Sequence, residues 1–413
     1  MSHPPPPADD LARSLQGCLL GTAVGDSIGL PFENLSRRSV ARIAPRPPLG
    51  LEQSLVAGRG LVSDDTEHTV MVALSVLESG ADVELFRRRL AARLRWWLVS
   101  APPGVGGATA RALLKLWLGF PPAASGVHSA GNGPAMRAAL LGVAFGHEPA
   151  LLAQMVRACT RITHSDPKAF EAALAVAVAA GCAARAGASS QSSPSSPSSL
   201  PPCEPLSRSA SEALEDFTAA FRQALGPSLG HASGNNAAGA AQGVLAAELA
   251  LLRAAVEEGL SVPGLAERLG CGKGVTGYAL HTVPVALYAW MRHAGDLRAA
   301  ITAVVHCGGD TDSTAAITGG IVGAGLGPDG MPPSWLANLL EWPRGPAWMG
   351  RLAPQVAAAV HRRAPVPPST AARLRELAWL PWMFARNLAM FGVVVVVAFV
   401  RLGRVALPRA PGE

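Results

Sequence analysis

The sequence predicts an all-α protein, on three observations. The chain of 413 residues is 49% hydrophobic but only 5% aromatic, so its apolar content is largely alanine and small aliphatic residues, which favour helix. Apolar residues recur at helical spacing: Val70, Ala73, Leu74 and Leu77 fall at i, i+3, i+4 and i+7 and make one helix face. Little β-branched alternation competes with that period. The 44 glycines and 35 prolines supply many breaks, so the helices are expected to be short.

In chain order, residues 1–10 carry four prolines and no apolar run, and are expected to be disordered. They do not form a secretory signal, because they hold no Arg or Lys and no apolar h-region. Helical patterning runs from Leu11 to about Ala186, with a second clear face at Leu151, Leu152, Met155, Val156 and Cys159. Residues 187–211 turn to Ser, Pro and Gln and cannot bury enough apolar surface to offset their ordering entropy. They read as a disordered insertion, and Ser228 to Gly243 as another loop. Patterning resumes from Val244 to about Leu340, with a third face at Leu297, Ile301, Val304 and Val305. The Pro/Arg-rich residues 346–376 read as a linker.

The last segment, 377–413, is the most unusual. Asn387 to Val400 lacks any charge and lies between Arg386 and Arg401. At 1.5 Å per residue it spans about 21 Å, short of the roughly 30 Å hydrocarbon core. Extension back to Leu377 gives the length but takes in Arg386 and Pro381, while Trp379 and Trp382 suit a membrane interface. Two readings stand: a membrane anchor or contact through residues 377–400, and a buried C-terminal helix.

The formal net charge is +6, and lysine occurs only at Lys115, Lys168 and Lys273, so the positive charge is almost all arginine. No basic run is interleaved with aromatics, and no nucleic-acid partner is expected. The cysteines at 18, 159, 182, 203, 271 and 307 form no C-x-x-C pair. They read as reduced thiols of a cytoplasmic protein rather than a disulfide or zinc framework.

Two acidic clusters stand out, Ser63-Asp64-Asp65 and Asp310-Thr311-Asp312-Ser313. Each precedes an apolar helical run, so each suits a helix cap, and Asp64 and Glu67 have capping-box spacing. Each also pairs two carboxylates with a hydroxyl between apolar helices. Brought together, four such carboxylates would repel unless a cation compensated them, and hard oxygen donors select Mg²⁺, Mn²⁺ or Ca²⁺ over zinc.

Five motifs then occur in order. They are Gly17-Cys18-Leu19-Leu20-Gly21-Thr22-Ala23-Val24-Gly25-Asp26-Ser27-Ile28-Gly29 followed by Glu33; Ser63-Asp64-Asp65-Thr66; Gly131-Asn132-Gly133-Pro134-Ala135-Met136-Arg137; Thr163-His164-Ser165-Asp166-Pro167; and Gly308-Gly309-Asp310-Thr311-Asp312-Ser313. In that order they resemble the ADP-ribosylglycohydrolase family, over about Leu11 to Leu340. The resemblance implies a compact orthogonal multi-helix bundle, with residues 11–345 as the catalytic domain. It implies two divalent cations, Mg²⁺ or Mn²⁺, held by Ser63, Asp64, Asp65, Asp310, Asp312 and Ser313. Glu33 matches a loop glutamate that positions substrate or water, and Asp65 or Glu33 is the expected catalytic base. Gly131, Asn132 and Gly133 match a loop along the ADP-ribose cleft, and His164 matches a histidine near the ribose. Arg137 either adds charge to that cleft or lies on the surface. Asp166 and Pro167 read as N-cap and first residue of a helix.

The implied activity is hydrolysis at C1 of the distal ribose of an ADP-ribosylated protein or ADP-ribose conjugate. Two rivals are a catalytically inactive ADP-ribose-binding or structural protein of the same family, and a metal-dependent phosphoesterase.

Overall fold

Glycine at every fourth position of the first helix, α1 (Ala8–Gly29), decides how the centre of the molecule packs. A Cβ added at Gly17, Gly21 or Gly25 would lie 2.1 Å from a carbonyl oxygen of Gly323, Gly319 or Ala315, and at Gly29 2.4 Å from that of Thr311. Those partners run backwards along α14 (Thr311–Leu326), so the two helices are antiparallel and their backbones touch. The C-terminal end of α1 therefore lies beside the N-terminus of α14, the second acidic cluster.

The structure, a computed structural model, describes residues 6–44, 51–191, 209–229 and 243–406. The fold is all-α, a bundle of helices packed around the α1–α14 pair. Among the described residues the only β pairing is a set of isolated bridges. Between α1 and α14 the chain forms α2 (Arg37–Ile43), α3 (Asp64–Ser79), α4 (Val83–Val99), α5 (Gly107–Trp117), α6 (Ala139–Phe145), α7 (Pro149–Arg161), α8 (Pro167–Gln191), α9 (Ala210–Leu229), α10 (Ala246–Glu257), α11 (Val262–Arg268), α12 (Ala279–Arg292) and α13 (Leu297–Val305). α15 (Pro333–Ala337), α16 (Pro346–Arg362) and α17 (Thr370–Ala406) follow. Leu152, Met155, Val156 and Cys159 of α7, and Leu297, Ile301, Val304 and Val305 of α13, are buried as their spacing predicts. α8 is the one described helix long and apolar enough to cross a membrane, and its apolar window is 83% buried, as a core helix would be.

Several boundaries differ from those the composition suggests. α1 already begins at Ala8, so residues 8–10, expected to be disordered, are helical; residues 1–5 lie outside the described part. The expected insertion 187–211 gives its first five residues to α8, and α9 starts at Ala210; residues 192–208 lie outside the described part, as do 230–242. Residues 346–362, expected as a linker, form α16, which packs on α1 and α3 with Met349, Leu352, Ala353 and Val356 buried. Its first proline occupies an N-terminal position where no N–H is needed, and Arg351 and Arg362 lie on its exposed face. Composition alone hid that amphipathic pattern. In α17 Met383, Asn387 and Met390 are buried at i, i+4 and i+7, whereas Phe384, Leu388 and Phe391 are about half exposed or more. The buried-helix reading thus holds for one face.

Candidate active site

The first acidic turn is built on the carboxylate that immediately follows Gly25 of the glycine ridge. Asp26 of α1 is fully buried. Its oxygens accept from the backbone N–H of Ser63 at 3.0 and 2.9 Å and of Thr66 at 3.1 Å, and from the Thr66 hydroxyl. These are orphan donors at the N-terminus of α3, which a helix must satisfy. Ser63 is the N-cap: its Oγ accepts from the Asp65 N–H at 3.3 Å. The cap expected at Asp64 is therefore one residue earlier.

The second turn is shaped by backbone. Gly308 and Gly309 have φ of +70° and +84°, a region that favours glycine. Gly309 donates to Leu35 O at 2.7 Å and its carbonyl accepts from Asn34 N at 2.8 Å, while Asp310 N donates to Val275 O at 2.8 Å. Asp310 then heads α14 without a side-chain cap bond, which leaves its carboxylate for other partners.

The two turns meet. Oδ2 of Asp65 accepts from Ser63 Oγ at 3.0 Å and from Ser313 Oγ at 3.2 Å, a partner 248 residues away. One carboxylate oxygen thus joins the hydroxyls of both clusters. Asp65 and Asp312 form a buried floor, and each has its Oδ1 buried with no hydrogen-bond partner. Asp64, Asp310 and Glu33 stand half-buried above it. Burial, followed by the charges of Asp26, Asp64 and Asp310, holds the Asp65 carboxyl well above the usual carboxylate range. Burial and then Asp310, Glu33 and Asp65 do the same to Asp312; burial and then Glu67 raise Asp64. Burial pushes Asp26 up to about 6 in spite of the hydrogen bonds it accepts.

The remaining sequence-predicted residues form the rim. Glu33 follows a short 3-10 turn, accepts from Asn34 Nδ2 at 3.1 Å and is raised by burial and by Asp310. Asn132 donates from Nδ2 to Asp310 Oδ2 at 2.7 Å and to Thr282 Oγ1 at 3.1 Å, so the glycine loop reaches the second cluster directly. The His164 ring lies against that loop: a Cβ at Gly131 would be 3.0 Å from its Nε2, and one at Gly133 3.2 Å from its Cε1. Burial, reinforced by Arg137, pushes His164 down to about 3, so it is neutral. Thr163 Oγ1 accepts from Arg137 Nη2 at 2.7 Å and pairs with His164 Nδ1 at 2.9 Å. With the threonine proton given to Nδ1, Nε2 carries the imidazole proton and presents a donor to the glycine loop. Arg137 corrects both sequence readings. It is fully buried beneath the site, bonded also to His68 Nδ1 and Cys159 O, and holds Thr163 instead of lining a cleft or facing solvent. Asp166 caps α8 through the Lys168 N–H at 2.9 Å.

The model of one family, ADP-ribosylglycohydrolase, matches residues 7–366. The chain belongs to the ADP-ribosylglycohydrolase family. Over 174 residues it is 32% identical to an uncharacterized protein of Archaeoglobus fulgidus, an alignment covering 40% of this chain and 54% of that protein. It is 29% identical over 167 residues to the ADP-ribosyl-[dinitrogen reductase] glycohydrolase of Rhodospirillum rubrum, covering 39% and 54%. The chain thus spans about half the length of the curated relatives it matches. Among solved structures it resembles a chain of an ADP-ribosylglycohydrolase-related protein complex, with TM-score 0.54 and 25% identity over 85% of this chain and 99% of that one.

Within this family member, two residues of the site escape sequence reasoning. Asp26 sits inside the opening motif, but nothing in its spacing reveals that it clasps Ser63 and Thr66. Glu67, expected as half of a capping box, instead accepts from Trp97 Nε1 and pairs with Arg386. The signal available for Asp26 was the single charged residue in the apolar, glycine-ridged stretch 17–29 of α1, where an ionised group needs partners.

Proposed function

We propose that the chain is a metal-dependent hydrolase that cleaves the bond at C1 of the distal ribose of an ADP-ribosyl group, releasing ADP-ribose from a modified protein side chain or another acceptor. The observation that carries this reading is Asp65, whose Oδ2 takes the hydroxyls of both turns while its Oδ1, like that of Asp312, is buried without a partner. Orphaned buried carboxylate oxygens among raised neighbours fit cation ligands. Among the described residues no three His, Cys, Asp or Glu side chains are placed to enclose an ion as they stand. The half-buried Asp64 and Asp310 and the hydroxyls of Ser63 and Ser313 would complete an all-oxygen set suited to Mg²⁺ or Mn²⁺. A bound cation pair supplies Lewis-acid polarisation and an ordered water.

The residues of this chain then have distinct tasks. Asp65 and Asp312 would hold the cations from the floor, and Asn132 fixes Asp310. Glu33, on the solvent side with a raised carboxyl, is better placed than Asp65 to take the proton of the attacking water. Water oxygen bonds to C1, the bond from C1 to the acceptor breaks, its electron pair leaves with the acceptor, and the proton taken by Glu33 passes through solvent to the acceptor, which restores the carboxylate. Gly131 and Gly133, without side chains, would let the backbone approach a diphosphate closely, and the Nε2–H of His164, packed against that loop, would add a donor at its edge.

The test is a panel of arginine- and serine-ADP-ribosylated peptides, an ADP-ribosylated nucleic-acid end and O-acetyl-ADP-ribose, with and without chelator. Intact ADP-ribose should leave at least one substrate, stop with chelator and resume with Mg²⁺ or Mn²⁺. Glu33→Gln should lower kcat by roughly 10²–10⁴-fold. Binding without turnover would mean an inactive ADP-ribose-binding protein; release of AMP or phosphate would mean a phosphoesterase.

A further inference from the structure

The family match ends at residue 366, yet α17, beyond it, reaches the first acidic turn. Arg386 donates to Val62 O at 2.6 Å and to Glu341 Oε2 at 2.8 Å, and pairs with Glu67. Val62 immediately precedes Ser63, and Glu67 lies two residues after Asp65. One guanidinium therefore grips both ends of the six-residue segment, Val62 to Glu67, that carries Ser63, Asp64 and Asp65. All three side chains are largely withdrawn from water, with 10% exposure for Arg386, 6% for Glu67 and 4% for Glu341. In that setting a planar, multidentate donor fixes geometry in a way a flexible surface ion pair does not. The other oxygen of Glu67 is taken by Trp97 Nε1, so the glutamate is held as a wall beside the acidic centre, its charge answered by Arg386.

The rest of α17 is held by similar point contacts. Glu376 accepts from Arg93 at 3.0 and 3.1 Å, Trp382 Nε1 donates to Trp342 O at 2.8 Å, and Asn387 Nδ2 donates to Ser100 O and Oγ at 3.0 Å. Between them lies a cavity of about 380 Å³, walled by Met71, Trp96, Trp97 and Met383. The helix is therefore docked through polar anchors across an incompletely filled apolar seam. Of those anchors, only Arg386 touches the segment that carries the acidic turn.

We propose that Arg386 is a positioning residue for the metal-binding turn, so that the C-terminal helix, outside the family's matched span, sets the cation affinity of the site. The inference rests on the metal reading given above. Groups that orient a metal's ligands without touching the ion are worth about 10–100-fold in metal affinity. By linkage, whatever tightens the clamp tightens the ion, and the reverse.

The experiment measures Mn²⁺ dissociation constants on the whole 413-residue chain by calorimetry and by the loss of the free-ion paramagnetic signal. Arg386→Met keeps length and apolar packing, Arg386→Lys keeps charge without the fork, and Glu376→Gln loosens the same helix away from the turn. We expect Arg386→Met to weaken Mn²⁺ about tenfold or more, Arg386→Lys to weaken it less, and Glu376→Gln to change it under twofold even where it lowers Tm. If Arg386→Met does not fold, the Arg386→Lys and Glu376→Gln pair carries the same contrast. A wild type that binds Mn²⁺ alongside Arg386 variants that bind it equally well overturns the proposal alone, as does a Glu376→Gln loss as large as theirs. A wild type that binds no Mn²⁺ overturns the metal reading and this proposal with it.

Discussion

The two acidic turns occupy one site but are held in opposite ways. Ser63–Glu67 is braced by charged side chains from distant helices: Asp26 beneath the N-terminus of α3, and Arg386 across its flank. Gly308–Ser313 is braced by backbone, with bonds to Asn34, Leu35 and Val275 and two glycines at positive φ. The bracing of the first turn should therefore respond to charge and pH, and the bracing of the second to steric change. A site assembled from both gains one half whose electrostatics can be tuned and one whose geometry is stiff.

The largest effect should come from attacking the stiff half. A Cβ on Gly309 would meet Val275 O at 1.9 Å on top of a φ of +84°. Gly309→Ala is expected to cost about 3 kcal/mol or more, read as a lower denaturant midpoint and lost Mn²⁺ binding. A variant as stable as wild type would show that the second turn is not rigid in the way its bridges indicate.

The charged half should give a pH response of up to about 3 kcal/mol. The Asp26 carboxyl is raised from 3.8 to about 6. Its contribution to stability is therefore full below its unfolded value and is lost as pH rises through about 6. With chelator present, wild-type Tm should fall between pH 5 and 7.5. Asp26→Asn should flatten that fall, and Asn132→Ala, which removes a partner of Asp310 on the other turn, should leave its slope unchanged. Equal slopes in all three proteins would erase the contrast between the halves.

Much of this was legible in the sequence, and the illegible parts share a cause. The faces at Leu152–Cys159 and Leu297–Val305 follow from period alone, because a helix sets its own geometry. Residues of the acidic turns were found because chemistry and motif coincide there. Asp26 and Arg386 were not, since their partners lie 37 and 324 residues away and no local pattern encodes such pairs. Arg386 in particular looked like an interruption in an apolar stretch. α16 was hidden by Pro and Arg, which composition assigns to a linker, although its buried positions keep helical spacing. The glycine ridge of α1 was visible as a motif, but its meaning, backbone contact with α14, required the partner helix.

The central claim is that turns far apart in the chain act as one cation site through Asp65. A double-mutant cycle on Ser63→Ala and Ser313→Ala, with Mn²⁺ affinity as readout, tests it most directly, since both hydroxyls donate to the same oxygen. The account predicts measurable Mn²⁺ binding in the wild type and a coupling of about 0.5 kcal/mol or more between the two substitutions. Losses that add to within about 0.3 kcal/mol, or a wild type that binds no Mn²⁺, would contradict it.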